Sequence, residues 1–370
     1  MALIMRIRYS GLALVLAIVA ACGGNGADPT ATPDVSSPTP FIADIDLDLA
    51  AKLLAQGDPE DALAIYAAGA ERGTEEEQRE SLWALARIHS QQGDNSAAEK
   101  AIEALRDSGL ESSEEGPALL LQGKVKFAQG DFDEAKDAFQ DYIDGGSPAT
   151  PYALIYLSQI SRQQGDDETA IDQLGEALTA DLPDGVVNES LLTLADLQDE
   201  AGHPDDALAT LERAVESAPS ANEEAEALWL LAETAERNGN RALAAESLQT
   251  LVNEYPASYR SLEALAIPTA EFTLRDRAMV LFRNRVNDQA EIAFISIVDQ
   301  AGEGYAEAKY HLGVLSERYE RWDDAIIHYD AATDSGQSPW YAAQATWDKG
   351  TVLERLGQTE EAIVAYAGVA

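Results

Sequence analysis

A short pattern that recurs at a nearly constant interval limits what this chain can fold into more than any other feature. In each copy a turn precedes an alanine that opens an apolar stretch, typically with Asp or Glu between them, as in Gly130–Ala135. The nine alanines are Ala62, Ala98, Ala135, Ala170, Ala207, Ala244, Ala290, Ala325 and Ala362. Successive alanines lie 35 to 37 residues apart, except for one step of 46. A repeat of this length predicts a solenoid of stacked helical hairpins.

Two further positions of the repeat were not used to align it, and both follow a rule. A small residue precedes each alanine by twelve positions: Ala50, Ala86, Gly123, Ser158, Ala195, Ala232, Ala278, Gly313 and Gly350. A large apolar residue follows each alanine by four: Tyr66, Ile102, Phe139, Leu174, Leu211, Leu248, Phe294, Tyr329 and Tyr366. Residues four apart share one face of a helix. The pattern predicts two closely crossing helices in every unit.

The span from about residue 43 to 370 resembles tetratricopeptide-repeat (TPR) proteins. Leu312-Gly313 matches the Leu-Gly pair of that family, and Pro219 and Pro256 stand where the family places a helix-stopping proline. Most units lack the family's Trp at the fourth position, so the repeats are divergent. Strand-like alternation is almost missing from this span. The resemblance implies an all-α, TPR-like α-α superhelical solenoid of about nine helix-turn-helix units.

The spacing of the repeats also predicts how the chain is divided. Units 1 to 6 cover residues 43–254, and units 7 to 9 cover residues 273–370. The long step of 46 places extra residues at 255–272, where Pro268 is expected to break a helix, so this stretch is interpreted as a kink or joint. The sequence stops at Ala370 inside the second helix of a unit. We therefore expect the last unit to be incomplete or its last helix to be covered.

The amino terminus predicts export and lipid anchoring. Residues 1–21 combine Arg6 and Arg8 with a short apolar run and two alanines before Cys22, which is typical of a secretory signal peptide. The Cys at that place resembles the lipobox of bacterial lipoproteins, in which it is acylated. The alternative is an ordinary signal that happens to contain a Cys. Residues 22–42 are rich in Gly, Pro, Ser and Thr and are predicted to form a flexible tether. The expected location is the extracytoplasmic side of a membrane.

Charge excludes several classes of partner. The chain has 66 Asp and Glu against 25 Lys and Arg, for a formal net charge of −41. Binding to nucleic acid needs a basic surface, so nucleic acid is not an expected partner. Direct adhesion to anionic lipid is excluded for the same reason, which leaves the lipid anchor as the only expected membrane contact. The acidity fits either life in salty water or a basic protein partner.

Residues for catalysis or metal binding do not form a recognisable pattern. The four histidines are His89, His203, His311 and His328, and they are interpreted as surface or capping residues. No His or Cys cluster has the spacing of a metal site, and no nucleophile-base motif or phosphate-binding loop is present. We therefore expect a protein that is not an enzyme and uses neither a cofactor nor a metal.

Two sets of side chains are candidates for ligand binding. In TPR proteins the first helix of each unit lines a concave groove, and its fifth position is aromatic at Trp83, Trp229, Tyr310 and Trp347. Such rings could anchor peptides or glycans, or could pack between neighbouring repeats. The last four units place an arginine near the end of the first helix, at Arg237, Arg283, Arg318 and Arg355. These arginines could bind a carboxylate of a ligand, or could complement the negative end of the helix dipole.

Two narrower resemblances leave the function open. Residues 251–258 resemble repeats of envelope lipoproteins in barrel-assembly and cell-division complexes. Residues 271–370 resemble the α-superhelical region of soluble lytic transglycosylases, through Arg277–Arg283, Tyr310–Gly313, Ser338–Trp340 and Trp347–Gly350. The first hypothesis is a scaffold that binds envelope proteins or peptides. The second is the superhelical module of a peptidoglycan-cleaving enzyme whose catalytic domain lies beyond residue 370. A solute-binding lipoprotein is a weaker third, because no α/β pattern is present.

Overall fold

The structure, a computed structural model, describes residues 45–369, which contain nineteen α-helices and no strand. The helices are α1 Leu47–Gln56, α2 Pro59–Arg72, α3 Glu75–Gln92, α4 Asn95–Asp107, α5 Ser112–Gln129, α6 Phe132–Asp144, α7 Thr150–Gln163, α8 Asp167–Ala177, α9 Asp184–Glu200, α10 Pro204–Glu216, α11 Ala221–Arg237, α12 Arg241–Glu254, α13 Tyr259–Ala264, α14 Leu274–Arg283, α15 Asn287–Asp299, α16 Tyr305–Arg318, α17 Trp322–Asp334, α18 Pro339–Arg355 and α19 Thr359–Ala367. They form nine consecutive hairpins, with α13 inserted between the sixth and the seventh. The predicted all-α hairpin fold is confirmed.

The turn inside each hairpin follows from its residues. In unit 3, made of α5 and α6, Gly130 ends α5 with a φ of 84°. The backbone N–H groups of Gly130 and Asp131 bond the carbonyls of Phe127 and Lys126, each at 3.0 Å, which satisfies the end of the helix. Only glycine takes this left-handed conformation at no steric cost. The acidic residues that follow lie in the first turn of α6, where the helix dipole favours negative charge.

The small residue of each unit is explained by a close helix crossing. A Cβ built on Gly123 would lie 2.6 Å from the ring of Phe139, and one on Gly313 would lie 2.4 Å from the ring of Tyr329. Each pair joins the small position of the first helix to the large apolar position of the second. The ring therefore fills the space that a larger side chain at the glycine would need.

The core runs continuously through neighbouring hairpins. Ala195 of unit 5 (α9, α10) packs in one buried cluster with Leu211 of the same unit and with Leu231 and Ala244 of unit 6 (α11, α12). Full burial of one such leucine contributes roughly 1.5–3 kcal/mol. Because each hairpin buries its apolar stripe only against its neighbours, stacking is what stabilises the fold.

The segment 255–272 adds the short helix α13. Ala264, Ala270 and Phe272 are buried in one cluster with Trp229 of unit 6 and Val280 of α14. The hydroxyl of Ser261 donates to the carbonyls of Leu251 and Tyr255, at 3.0 and 2.7 Å, which ties α13 to the end of α12. The extra residues thus pack against both flanking units. Whether the solenoid bends or moves here stays a prediction.

Contacts between units distinguish the two surfaces of the solenoid. First helices of neighbouring units contact each other at α5 with α7, α9 with α11 and α16 with α18, whereas no two second helices within residues 45–369 form a comparable contact. Helices that are closer together lie on the inside of a curved stack. We call the surface formed by the first helices the inner face and the surface formed by the second helices the outer face. Units 7, 8 and 9 are α14–α15, α16–α17 and α18–α19.

Candidate functional site

A cavity of about 260 Å³ opens on the inner face of unit 6. Its wall from α11 is formed by Trp229, Ala232, Glu233, Glu236 and Arg237, and the rest of its lining by Ala244, Leu248 and Ile267. Two residues that the sequence singled out separately, Trp229 and Arg237, therefore line the same cavity. Sequence reasoning missed Ile267, because it lies in the inserted segment and has no counterpart in the repeat.

Trp229 forms a rigid wall of this cavity. Only 7% of the residue is exposed, and the Arg260 guanidinium lies 5.2 Å from the centre of its ring. Arg260 is itself fixed by two bonds of 2.6 Å to the carboxylate of Glu226 and one of 2.7 Å to Glu263. The indole is thus packed between repeats and also faces the cavity, so the two interpretations of this tryptophan are compatible.

Charged groups surround an apolar floor. Burial by the surrounding protein raises the pKa of Glu233, and the nearby Arg260 only partly offsets this. Arg237 forms an ion pair with Asp199 of α9, and the Glu236 carboxylate accepts a hydrogen bond of 2.8 Å from Thr269. A cavity with an apolar floor and a charged rim fits one apolar or aromatic side chain whose flanking groups are polar.

Units 7 to 9 are linked along the inner face by a polar chain. Arg275 of α14 donates two hydrogen bonds, of 2.6 and 2.7 Å, to the Glu307 carboxylate of α16, which also accepts from the Tyr341 hydroxyl of α18. Burial alone would raise the pKa of Glu307, but the hydrogen bonds from Arg275 and Tyr341 outweigh it and hold the pKa below its usual value. One carboxylate therefore connects three successive first helices.

His311 corrects the expectation that all four histidines are surface or capping residues. It is 5% exposed and packs against the rings of Phe282 and Phe294, at centroid distances of 4.6 and 5.1 Å. Burial lowers its pKa to about 4, although Glu307 acts in the opposite direction. Its Nδ1 atom is buried without a hydrogen-bond partner among the described residues. The sequence alone could not distinguish this histidine, the seventh residue of α16, from an exposed one.

The aromatic candidates of units 8 and 9, Tyr310 and Trp347, have different surroundings. The Tyr310 hydroxyl donates to Asp348 at 2.9 Å, and its ring lies 6.4 Å from Trp340. Trp347 is 52% exposed and its ring packs 4.9 Å from Tyr366. Trp340 is 61% exposed. It was not among the groove candidates because it precedes the fifth position of the first helix in the repeat register.

Trp83 is remote from this group in the chain. Its indole N–H donates to Glu114 of α5 at 3.1 Å, and its side chain is half-buried in unit 2 (α3, α4). The contact joins two successive units, as packing between repeats requires. A role of Trp83 in ligand binding stays a prediction.

The four arginines have different surroundings. Arg318 donates to the Phe282 carbonyl at 3.2 Å and to Asn287 at 2.8 Å, and it covers the Phe282 ring at 4.0 Å. This contact complements the end of α14. Arg355 lies over the ring of Trp322, and Arg283 and Arg355 are exposed and form no ion pair within residues 45–369. Arg283 and Arg355 are thus the members of the set best placed to meet a ligand.

Residues 45–369 contain no group of three or more His, Cys, Asp or Glu side chains that could hold a metal ion. None of the described helices is long and apolar enough to span a membrane. The described residues do not include the predicted signal peptide (residues 1–21), Cys22 or the predicted tether (residues 22–42).

Comparison with known proteins identifies the repeat. The sequence profile described as tetratricopeptide repeat matches residues 47–111, 120–186, 192–259 and 275–339, which together are more than half of the chain. A search of curated protein sequences finds no significant match. The expected resemblance to the TPR family is thereby confirmed for the repeats.

Several solved structures are similar in fold. YrrB, described as a TPR protein with an unusual peptide-binding site, is 19% identical, with 50% of this chain and 91% of YrrB covered and a TM-score of 0.40. PilW, described as a type IV pilus biogenesis factor, is 18% identical, with 60% and 96% covered and a TM-score of 0.44. PilF of Pseudomonas aeruginosa is 19% identical, with 60% and 95% covered and a TM-score of 0.43.

Proposed function

Because the chain belongs to the tetratricopeptide-repeat family, we propose that it is a lipid-anchored, extracytoplasmic scaffold that binds a segment of an envelope protein on its inner face. TPR proteins bind peptide or protein partners. The observation that carries the proposal is the cavity of about 260 Å³ that unites Trp229 and Arg237. A side chain of the partner enters this cavity, and the adjoining backbone runs along the first helices of units 6 to 9.

The surroundings of the cavity support a peptide ligand. The fixed indole of Trp229 offers a flat apolar wall that needs no ordering when a ligand binds, and preorganised aromatic anchors dominate the energetics of interfaces. Arg283 and Arg355 follow on units 7 and 9 as exposed cations on an acidic protein. They favour a partner segment that bears carboxylates beyond its anchoring side chain.

A photo-crosslinking experiment tests where the partner binds. A benzoylphenylalanine replaces Glu233 at the cavity or, as the control, Glu246, which is exposed on the outer face of the same unit. In cells of the source organism, the residue at 233 should give a covalent adduct with a defined protein that the residue at 246 does not give. Adducts from 246 alone, or equal adducts from both positions, would contradict an inner-face site.

A charge-reversal pair tests the exposed arginines. The double variant Arg283→Glu and Arg355→Glu should lower the yield of the adduct captured at 233 severalfold. The control, Lys100→Glu with Arg213→Glu, changes the net charge equally at exposed positions of the second helices α4 and α10. Equal losses in both variants would show a general effect of net charge and no specific contact.

The lipid anchor is proposed from the sequence around Cys22. Acylation of this residue would hold the repeats at a membrane through the segment 22–42. Mass spectrometry of the membrane-associated protein should find an acylated amino terminus at Cys22, and Cys22→Ser should release the protein from the membrane fraction. A membrane-bound Cys22→Ser variant would rule out this anchor.

A second candidate function rests on the exposed tryptophans of α18. Trp340 and Trp347 present more than half of their surface to solvent, and indole rings of this kind stack on sugar rings. They would suit the superhelical module of a lytic transglycosylase. Binding of the chain to purified peptidoglycan, lost in Trp340→Ala with Trp347→Ala, together with an open reading frame beyond codon 370 that encodes a lysozyme-like domain, would favour this function over the scaffold.

A further inference from the structure

A row of aliphatic side chains lies on the outer face of the last three units. Ile292, Ile327 and Val364 stand two residues after the turn alanine of units 7, 8 and 9, and they are 65%, 61% and 72% exposed. Two residues along a helix turn the side chain by about 200°, away from the buried alanine and from the core. We call these three residues the outer aliphatic row. Ile295, 44% exposed, lies one turn beyond Ile292.

The same position is occupied differently in the other six units. It is held by small or charged residues: Ala64, Lys100, Asp137, Asp172, Ala209 and Glu246. The fold therefore does not require an aliphatic residue here. Single exposed hydrophobic residues are common on protein surfaces. An exposed aliphatic residue that recurs at the same repeat position in three successive units instead indicates an interaction surface.

Acidic residues border the row on one side. One turn before the row lie Asp288, Asp323, Asp324, Glu360 and Glu361, and all five are exposed. No Lys or Arg stands three or four residues from a member of the row, on either side. Arg321, the nearest arginine at the start of α17, is bound to Glu291 at 2.6 Å. The border of the row is therefore negative.

We infer that the outer aliphatic row is a second docking surface, which binds an amphipathic helix of a protein partner. The apolar stripe of that helix covers Ile292, Ile327 and Val364, and its Lys or Arg residues face the acidic border. Charge complementarity selects this occupant. A second copy of the chain would bring two acidic borders together, and an anionic membrane would be repelled by them. The surface is separate from the inner face and does not depend on the function proposed there.

Units 3, 4 and 5 provide a matched control within the same molecule. The second helices of these units, α6, α8 and α10, have acidic residues at the equivalent border, at Asp133, Glu168 and Asp205, but their row positions are Asp137, Asp172 and Ala209. A basic helix held by charge alone would bind both regions. A basic helix that also needs the aliphatic row would bind only units 7 to 9.

The experiment uses the full chain and a synthetic helical peptide of leucine and lysine, with the leucines on one face. Hydrogen–deuterium exchange should show slower exchange in α15, α17 and α19 when the peptide is present, and unchanged exchange in α6, α8 and α10. A peptide with glutamate in place of lysine should have no effect. Equal protection of both regions, or protection of the inner-face helices instead, would overturn the inference.

Variants of the row complete the test. Ile292→Gln, Ile327→Gln and Val364→Gln together should weaken binding of the leucine-lysine peptide at least tenfold while thermal unfolding is unchanged, because these side chains are exposed. Grafting the row onto the control region, with Asp137→Ile, Asp172→Ile and Ala209→Ile, should create protection of α6, α8 and α10. Unchanged affinity of the first variant would overturn the inference. A dimer that forms through the row, detected by sedimentation and lost in the first variant, would also overturn it.

Discussion

In units 1 to 6 the turn between the two helices places a glycine in the left-handed conformation, whereas in units 7 and 8 the same turn position holds Arg285 and Glu320. The glycines have φ angles between 78° and 86°, at Gly57, Gly93, Gly130, Gly165, Gly202 and Gly239. Arg285 and Glu320 have φ angles of 61° and 57°. A residue other than glycine in the left-handed conformation lowers the folding stability by roughly 1–2 kcal/mol. Units 7 and 8 therefore keep the same hairpin at a local conformational cost, whereas unit 9 has a glycine at this position, Gly357.

Two of the links between neighbouring units, one from each region, differ in burial. In unit 4 (α7, α8), Arg162 reaches Asp196 and Glu200 of the next unit, whose side chains are 58% and 55% exposed. In units 7 to 9 the link passes through Glu307, whose side chain is 10% exposed, next to the buried His311. Exposed ion pairs contribute little, and buried polar groups depend strongly on their partners. The comparison indicates that the Glu307 link depends more strongly on its hydrogen-bond partners than the Arg162 link does.

The largest effect should come from the crossing that both regions share. Phe139→Ala in unit 3 and Tyr329→Ala in unit 8 each remove a fully buried ring and should each lower the local unfolding free energy by about 3–5 kcal/mol. Because each unit packs only on its neighbours, hydrogen exchange should accelerate around the substitution and spare the other region. A uniform acceleration along the whole chain would show that the two regions unfold as one.

A fall in pH should destabilise units 7 to 9 through His311. Above pH 6.5 His311 is neutral in both the folded and the unfolded chain. Below it the unfolded chain takes up a proton, whereas burial keeps the folded-state pKa at about 4. Stability is therefore lost as the pH falls from 6.5 towards 4, by up to about 3 kcal/mol.

Urea unfolding at several pH values can measure this loss in units 7 to 9. In a Trp83→Phe, Trp229→Phe background, fluorescence reports only Trp322, Trp340 and Trp347. His311→Leu should remove most of the slope between pH 6.5 and 4. His203 in unit 5 provides a contrast, because its hydrogen bond to Glu168 raises its pKa, so its stabilising effect is lost as the pH rises. A slope that survives in His311→Leu would assign the acid sensitivity to other groups.

Removal of the buried carboxylate should have a smaller effect. Glu307→Gln loses the paired bonds from Arg275 and should cost about 1–2 kcal/mol, at the lower end because the Arg275 side chain is 59% exposed. The matched change in the first region, Asp196→Asn, should cost less than about 0.5 kcal/mol. Chemical denaturation of both variants measures the difference. Equal costs would remove the proposed contrast between the links.

The smallest effect should be a gain. Arg285→Gly and Glu320→Gly relieve the left-handed turns of units 7 and 8 and should each stabilise the chain by about 0.5–1 kcal/mol, since the greater freedom of glycine in the unfolded chain offsets part of the relief. The reverse change in the first region, Gly165→Arg, should destabilise by a similar amount. Melting temperatures of the three variants test both signs.

The repeat made most of the fold predictable. The turn alanines, the small residues and the large apolar residues all mark one helix crossing, so the sequence was sufficient to place helices and core. The inserted helix α13 was not predictable, because Tyr259–Ala264 is short and has no counterpart in other units. It was expected only as a break at Pro268.

The site was predictable only in part. Register placed Trp229 and Arg237 on one helix, but the cavity between them also needs Ile267 from the inserted segment. The burial of His311 depends on Phe282 and Phe294, which come from two other helices, so no local pattern could indicate it. The outer aliphatic row became recognisable only in the structure, where Ile292, Ile327 and Val364 are exposed.

The central claim is that a partner binds the inner face of units 6 to 9, and hydrogen–deuterium exchange with the partner captured through position 233 tests it most directly. The account predicts slower exchange in the first helices α11, α14, α16 and α18 and unchanged exchange in α3, α5 and α7. Protection concentrated in α3, α5 and α7, with α11 to α18 unchanged, would contradict it.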